Sequence, residues 1–209
     1  MVIKKIKMNS NFLIIDCTGK NDCIALIKDN NFFIKKIQSN LIKYEILVLE
    51  ILEFIEEHNI KLDEKISVAV NIGPGSFSGI RIALAAAKGL YLSKNINLLS
   101  YNNFLLNAVT HLKENRKVIS IQKTSKLFYF VEVLNKKQIT CSDPQIINAN
   151  KFDFNNCIVV APIELNKDKE LLSFKIKEIK FVENKLMNIN LLRDNNLLEN
   201  KLIKPLYLS

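Results

Sequence analysis

The sequence predicts an α/β protein of two related lobes, each built on a mixed sheet. Three observations lead there. Elements follow the order β-β-β-α-β, and that order recurs about 105 residues further on, in kind of element rather than in letters. Hydrophobic residues make up 48% of the 209, enough for a sizeable core. The apolar runs are short. None reaches the ~18 residues of a membrane span, so no membrane crossing is expected.

Residues 1–8 are basic and read as a loose extension. The apolar piece after them ends at Asp16 without a cleavage site, so it does not read as a signal peptide. "NFLIID" (11–16) reads as a buried strand. "CIALIKD" (23–29) and "FFIKKI" (32–37) read as two more, joined by the turn "KDNN". Residues 40–58 read as a helix. At 100° per residue, Leu41, Tyr44, Leu47, Val48, Ile51, Leu52, Phe54 and Ile55 fill an arc of roughly 160°. Ile42, Ile46 and Leu49 lie outside that arc. One helix face on one sheet does not need them, which points to a second contact surface. "KISVAVNI" (65–72) is a fourth strand, and it runs into "GPGSFSG" and a second helix.

The first lobe is thus expected over 9–100 and a divergent, abbreviated second lobe over 101–209. Residues 117–122, 127–134 and 138–141 give three strands. "DPQIINANKF" (143–152) reads as a short helix with Pro144 near its first position. "CIVVAP" (157–162) is another buried strand. Beyond it only "MNINLLRD" shows helical periodicity, and that weakly.

The formal charge of +9 allows contact with nucleic acid or a membrane surface. The lysines, however, are scattered among Asn and Ile rather than gathered in a patch. Cys17, Cys23, Cys141 and Cys157 form no CxxC pair and suit no zinc site. Cys17 and Cys157 sit in apolar runs and read as buried thiols, which fits a reduced, cytoplasmic setting. His58 and His111 are the only histidines. His58 reads as a solvated residue at a helix C-terminus, and no HxxxH pair exists.

The glycine turn fits neither phosphate-loop pattern. Ile80 follows Gly79 where a Walker loop needs Lys, and "GPGSFSG" is one residue too long for a dinucleotide loop. Pro74 also removes a backbone N–H. A structural turn fits better, with Gly73 and Gly75 making the bend and Ser76 or Ser78 capping the helix. In that helix Gly79, Ala83, Ala86 and Ala87 form one small-residue stripe, extended by Leu90. Arg81 and Lys88 are the only charges between 76 and 93, on one edge. Such a stripe lets another helix approach closely. It is expected either to lie inside its own domain or to be covered by a protein partner.

"GPGSFSGIRIALAAAKGL" (73–90) closely resembles the GPGSFTGLRIGLATAKGL signature of TsaB-type proteins. "FLIIDCT" (12–18) is similar to that family's opening ILaIDTS strand, and "IKPLYL" (203–208) to its terminal EPxYLR. The resemblance implies an actin-like ATPase (ribonuclease H-like) fold of two duplicated βββαβα lobes. It implies a non-catalytic subunit that binds and activates a TsaD-type paralogue. That paralogue moves threonylcarbamoyl onto the adenosine beside the anticodon of tRNA. A TsaE-type ATPase joins the complex, and tRNA is met through it. The chain then needs no cofactor of its own, with ATP and a metal in partner subunits, and it homodimerises when alone. The implied partner surface comprises Leu41, Tyr44, Val48, Ile51 and Ile55 with Gly75, Ser76, Phe77, Gly79, Ile80, Ala83, Ala86, Ala87 and Leu90. Asp16 and Thr18 fall where actin-like ATPases contact nucleotide, although Asp16 equally suits a turn cap. Two departures stand out. Lys43 replaces an early His, and "IQKTS" (121–125) replaces IDARR. The alternatives are a stand-alone actin-fold phosphotransferase and an RNA-binding module.

Overall fold

The computed structural model describes residues 11–19, 22–29, 31–37, 46–94, 96–112, 116–136, 138–147, 152–200 and 203–208. The expected extension at 1–8 lies outside them. Two compact units are present. One runs to Tyr101 and takes back Leu198–Tyr207; the other is Asn102–Leu197 with Leu208–Ser209.

The first unit opens with β1 (Asn11–Asp16), β2 (Cys23–Lys28) and β3 (Asn31–Lys36), an antiparallel meander. Next come α1 (Leu47–Glu57), β4 (Ile66–Asn71), α2 (Phe77–Lys94) and β5 (Asn97–Tyr101). The sheet order is β3-β2-β1-β4-β5, with β1, β4 and β5 parallel. β1, β2 and β4 are central strands, and all three are almost wholly buried, as strands covered on both faces are. The helix expected over 40–58 begins at Leu47; residues 40–45 lie outside those described. Both helices bury a face on the same side of the sheet. Leu47, Ile51, Phe54 and Ile55 share one core with Ala83, Leu84, Ala86, Ala87, Leu13, Ile15 and Val70.

The second unit begins with α3 (Asn103–Ala108), whose first turn is capped by Asn102 accepting from the Leu105 N–H at 3.0 Å. β6 (Lys117–Lys123), β7 (Phe128–Asn135), β8 (Ile139–Cys141) and β9 (Gln145–Ile146) follow, then β10 (Cys157–Pro162). α4 (Lys169–Ser173), β11 (Ile179–Val182) and α5 (Ile189–Asp194) complete it. The sheet order β11-β10-β6-β7-β8 repeats that of the first unit strand for strand. β6 pairs antiparallel with β7 and parallel with β10, as β1 does with β2 and β4.

Two expectations are corrected. The helix expected over 143–152 is not formed by its described residues. Gln145 and Ile146 pair with Phe130 and Tyr129, and the Ile147 N–H donates to Phe128 O at 2.9 Å, a ladder-like bond. Backbone pairing to β7 outweighs the helix-start preference of Pro144. Second, the later lobe does not extend unbroken to the chain end. Glu199 and Ser100 exchange two backbone hydrogen bonds at 2.7 and 3.0 Å, Ile203 is buried in the first unit's core, and the Leu206 N–H donates to Ile72 O at 2.8 Å. These contacts make residues 198–200 and 203–207 a strap on the first unit.

Cys17, Cys23 and Cys157 are buried and Cys141 is exposed, and none of the four is in a disulfide. Burial, and then the nearby Asp16 and Asp22 carboxylates, push the Cys23 thiol up to about 12. A thiol-alkylating reagent at mildly alkaline pH is therefore expected to label Cys141 and spare the other three, as peptide mass spectrometry will show. His58 is not freely solvated as expected. Its ring sits 4.5 Å from both Phe33 and Phe54, and its Nδ1 lies 2.8 Å from Phe54 O.

Candidate functional site

The carboxyl ends of β1, β4 and β5 bring Asp16, Asn71 and Tyr101 together. In open α/β sheets this edge is where ligands bind. Asp16 Oδ1 accepts from the Thr18 backbone N–H at 3.0 Å and the Thr18 hydroxyl at 2.7 Å. Its Oδ2 accepts from Asn71 Nδ2 at 2.8 Å and from the Tyr101 hydroxyl at 3.1 Å. Burial, with the Asp16 charge second, pushes the Tyr101 phenol well above its ordinary range, so it stays a donor. Asn71 Oδ1 in turn accepts from the Gly73 N–H at 3.0 Å. Both oxygens of the carboxylate expected to contact nucleotide thus hold the strand ends and the glycine turn in register.

The turn itself is packed against that network. Gly73 has φ of +108° and precedes a cis Pro74. The Ser76 N–H donates to Thr18 O at 2.8 Å, and the Ser76 hydroxyl accepts from the Gly79 N–H at 3.2 Å, capping α2. A Cβ on Gly75 would lie 2.7 Å from Thr18 Cβ and overlap the Thr18 carbonyl oxygen. One on Gly79 would overlap the carbonyl oxygen of Cys17. The glycines are there because the end of β1 presses directly on the start of α2.

In the second unit, Lys123 closes β6 as Asp16 closes β1. Its ammonium pairs with Asp168 at 2.6 Å and lies 4.5 Å from the centre of the Phe128 ring. Asp168 also caps α4, accepting from the Glu170 and Leu171 N–H groups at 3.1 Å each. The Lys123 hydrogen bond, aided by those amides, holds the Asp168 carboxyl below its usual range, and the same bond raises Lys123. A depressed carboxyl contributes stability that is present above the ordinary carboxylate pKa and fades as pH falls through its folded value. A raised lysine contributes stability that fades at the alkaline end as pH passes its folded value. Asp168→Asn keeps a competent cap and removes the ion pair. It is expected to lower Tm slightly at neutral pH, with the gap to the parent closing in acid; melts across a pH series check this.

Of the two places expected for the stripe, its burial shows the one inside its own domain, which corrects the partner surface that the resemblance implied. Gly79, Ile80, Ala83, Ala86, Ala87 and Leu90 are buried in the first unit's own structure, and so are Ile51 and Ile55. Small side chains there let α2 lie close on β1, β4 and β5. Leu41 and Tyr44 lie outside the described residues. Of the residues proposed for contact, Val48, Gly75 and Phe77 are exposed and Ser76 is half-buried.

A different surface is open. α1 exposes Val48, Leu49 and Leu52, at 50%, 56% and 45%. α2 exposes a line spaced four, four, three and four residues apart: Phe77, Arg81, Ala85, Lys88 and Leu92, the last at 80%. A helix apolar or small on nearly every side leaves a second face after packing on its sheet. That all-round character was the available signal. Sequence reasoning could not tell which face the sheet would take. Among the described residues, no group of three or more His, Cys, Asp or Glu is placed to hold a metal ion.

The family model described as TsaD, tRNA N6-adenosine threonylcarbamoyltransferase, matches residues 44–153, just over half of the chain. A protein of Buchnera aphidicola subsp. Baizongia pistaciae (strain Bp), named tRNA threonylcarbamoyladenosine biosynthesis protein TsaB, is 36% identical over 80 residues. That stretch covers 35% of this chain and 36% of the relative. Two solved Pseudomonas aeruginosa structures match nearly the whole length. YeaZ gives a TM-score of 0.69 at 13% identity, covering 95% of this chain and 100% of the other. A protein described as similar to peptidase YeaZ gives 0.68 at 14% identity, covering 96% and 100%. At such identities they show the fold alone: this chain shares the α/β fold of those two structures.

Proposed function

Because the chain belongs to the family whose model is described as TsaD and is similar to proteins named TsaB and YeaZ, we propose that it is a non-catalytic subunit of tRNA threonylcarbamoyladenosine biosynthesis. It docks on a TsaD-type paralogue and activates it through the helix pair α1–α2. The observation that carries this reading is the outward apolar surface of two neighbouring helices, with Leu92 at 80% exposure. Exposed leucine in that setting has a favourable free energy to gain from a covering chain, and monomers rarely leave such patches open without use.

The polar sites support a non-catalytic role. Asp16 spends both carboxylate oxygens on Thr18, Asn71 and Tyr101, and Lys123 is paired with Asp168. A phosphotransferase would need those groups for phosphate and metal. ATP and metal then belong to partner subunits, a TsaE-type ATPase among them, and tRNA is met through the assembled complex in the cytoplasm. Without its partner the same face suits a second copy. Glu53 and Glu56 are exposed on α1, and Arg81 and Lys88 on α2, so two copies can oppose unlike charges. Calorimetric titration of the purified chain with the TsaD-type paralogue of its host tests the reading. Saturable binding that Leu92→Arg removes is expected; binding indifferent to Leu92 would refute it.

A further inference from the structure

We infer that Arg81 is a pre-organised anchor for a carboxylate on the protein that covers α2. The inference rests on the docking reading above and extends its surface to the carboxyl-terminal strap. Arg81 is exposed, one turn into α2. Its guanidinium carbon lies 3.7 Å from the centre of the Phe77 ring, and its Nε donates to the Tyr207 hydroxyl at 2.8 Å. The Phe77 and Tyr207 rings are themselves in contact, with centroids 5.0 Å apart. Tyr207 is carried there by the strap, whose Leu206 N–H is bonded to Ile72 O.

An exposed arginine usually samples many rotamers, and binding must then order it. Here one ring and one hydroxyl, brought from 126 residues away, fix the plane of the guanidinium. Nε is occupied, while among the described residues no carboxylate pairs with the terminal Nη groups. Those two nitrogens are the donors that form a parallel, bidentate pair with a carboxylate. Arg, Tyr and Phe side by side are also the residue types enriched at the energetic centres of interfaces.

The neighbours say what kind of molecule carries the anion. Arg81 continues along α2 into Ala85, Lys88 and Leu92, with Gly89 open beside them. Small and apolar side chains suit close packing of a helix, and a phosphodiester backbone gains nothing from them. The stripe holds two cations and no carboxylate, so an acidic side chain at the edge of a partner helix complements it.

Titration with the TsaD-type paralogue decides the matter, using Arg81→Ala, Arg81→Lys, Tyr207→Phe and Leu92→Arg. Arg81→Ala is expected to weaken binding about 30-fold. Arg81→Lys should weaken it nearly as much, because a point charge does not replace the planar fork. Tyr207→Phe removes only the hydroxyl that orients Nε. It should cost about 3-fold with Tm unchanged, which a purely structural contact would not do. If Leu92→Arg abolishes binding while Arg81→Ala leaves it intact, the docking reading stands and the anchor falls. Parental affinity in Arg81→Lys overturns the fork. Loss of host tRNA binding in Arg81→Ala, with paralogue binding intact, assigns the residue to nucleic acid instead. Leu92→Arg binding as the parent removes the docking reading, and the anchor with it.

Discussion

Gly79→Ala is expected to destabilise the protein by about 3 kcal/mol, seen as a fall in Tm of roughly 6–12 °C. In an exposed helix interior the same change would be favourable by up to about 1 kcal/mol, since Ala is the better helix former. The sign reverses because the added methyl would overlap the Cys17 carbonyl oxygen, which is backbone at the end of β1 and has no rotamer to change. Either α2 lifts from the sheet or β1 shifts. Lifting α2 uncovers Ile80, Ala83, Leu84 and Ala87, which are buried. Shifting β1 disturbs the hydrogen bonds of Asp16, the residue next to Cys17. Gly89 provides the control on the same helix. A Cβ there meets nothing within 4 Å, so Gly89→Ala is expected to raise Tm slightly. Thermal melts of the two variants, read side by side, test the close approach of β1 and α2. Equal effects of the same sign would mean that the turn is not under that constraint.

Much of this fold could be read from the letters where strands are buried on both faces. β1 and β10 are continuous apolar runs, and their expected bounds, 11–16 and 157–162, are those observed. The duplicated order of strands was likewise readable, because each unit repeats the same meander and parallel crossover. Elements escaped notice where burial is shared with polar residues. α3 is wholly buried yet carries Asn103 and Asn107, and β5 begins with Asn97 in a chain where Asn is common everywhere. The strap was invisible for another reason. Its place is set by pairings across about 100 residues, Glu199 with Ser100 and Tyr207 with Arg81, which no local pattern encodes. At the polar site Asp16 was legible as a strand-end carboxylate. Its partners Asn71 and Tyr101 lie 55 and 85 residues away, and the one hint was a polar residue closing the apolar run of β4. The small-residue stripe is legible as a close-packing surface, but the resemblance gives it to a partner while the first unit's own sheet takes it. Spacing reports that a helix can be approached closely; it does not report by what.

That misassignment separates two substitutions that look alike on a helical wheel. Leu92→Arg is expected to leave the fold intact and to weaken binding of the TsaD-type paralogue by about 100-fold or more. Leu92 is 80% exposed, so the arginine remains solvated in the free protein and costs it little. In the complex, the same charge would be buried in an apolar contact without a partner, a penalty of about 3–5 kcal/mol. Ala83→Arg is expected to behave in the opposite way. Ala83 is fully buried between α2 and the sheet, in a core with Leu13, Val70 and Leu84. A guanidinium has no room there and no water, so the variant should unfold or fail to express, and any loss of binding would report unfolding. Circular dichroism melts beside calorimetric titration distinguish the outcomes. A native melt with lost binding for Leu92→Arg, against a lost melt for Ala83→Arg, places the partner on the outer face of α2. Native melts for both, with binding lost only in Ala83→Arg, would return the partner to the inner stripe and require α2 to leave its own sheet to reach it.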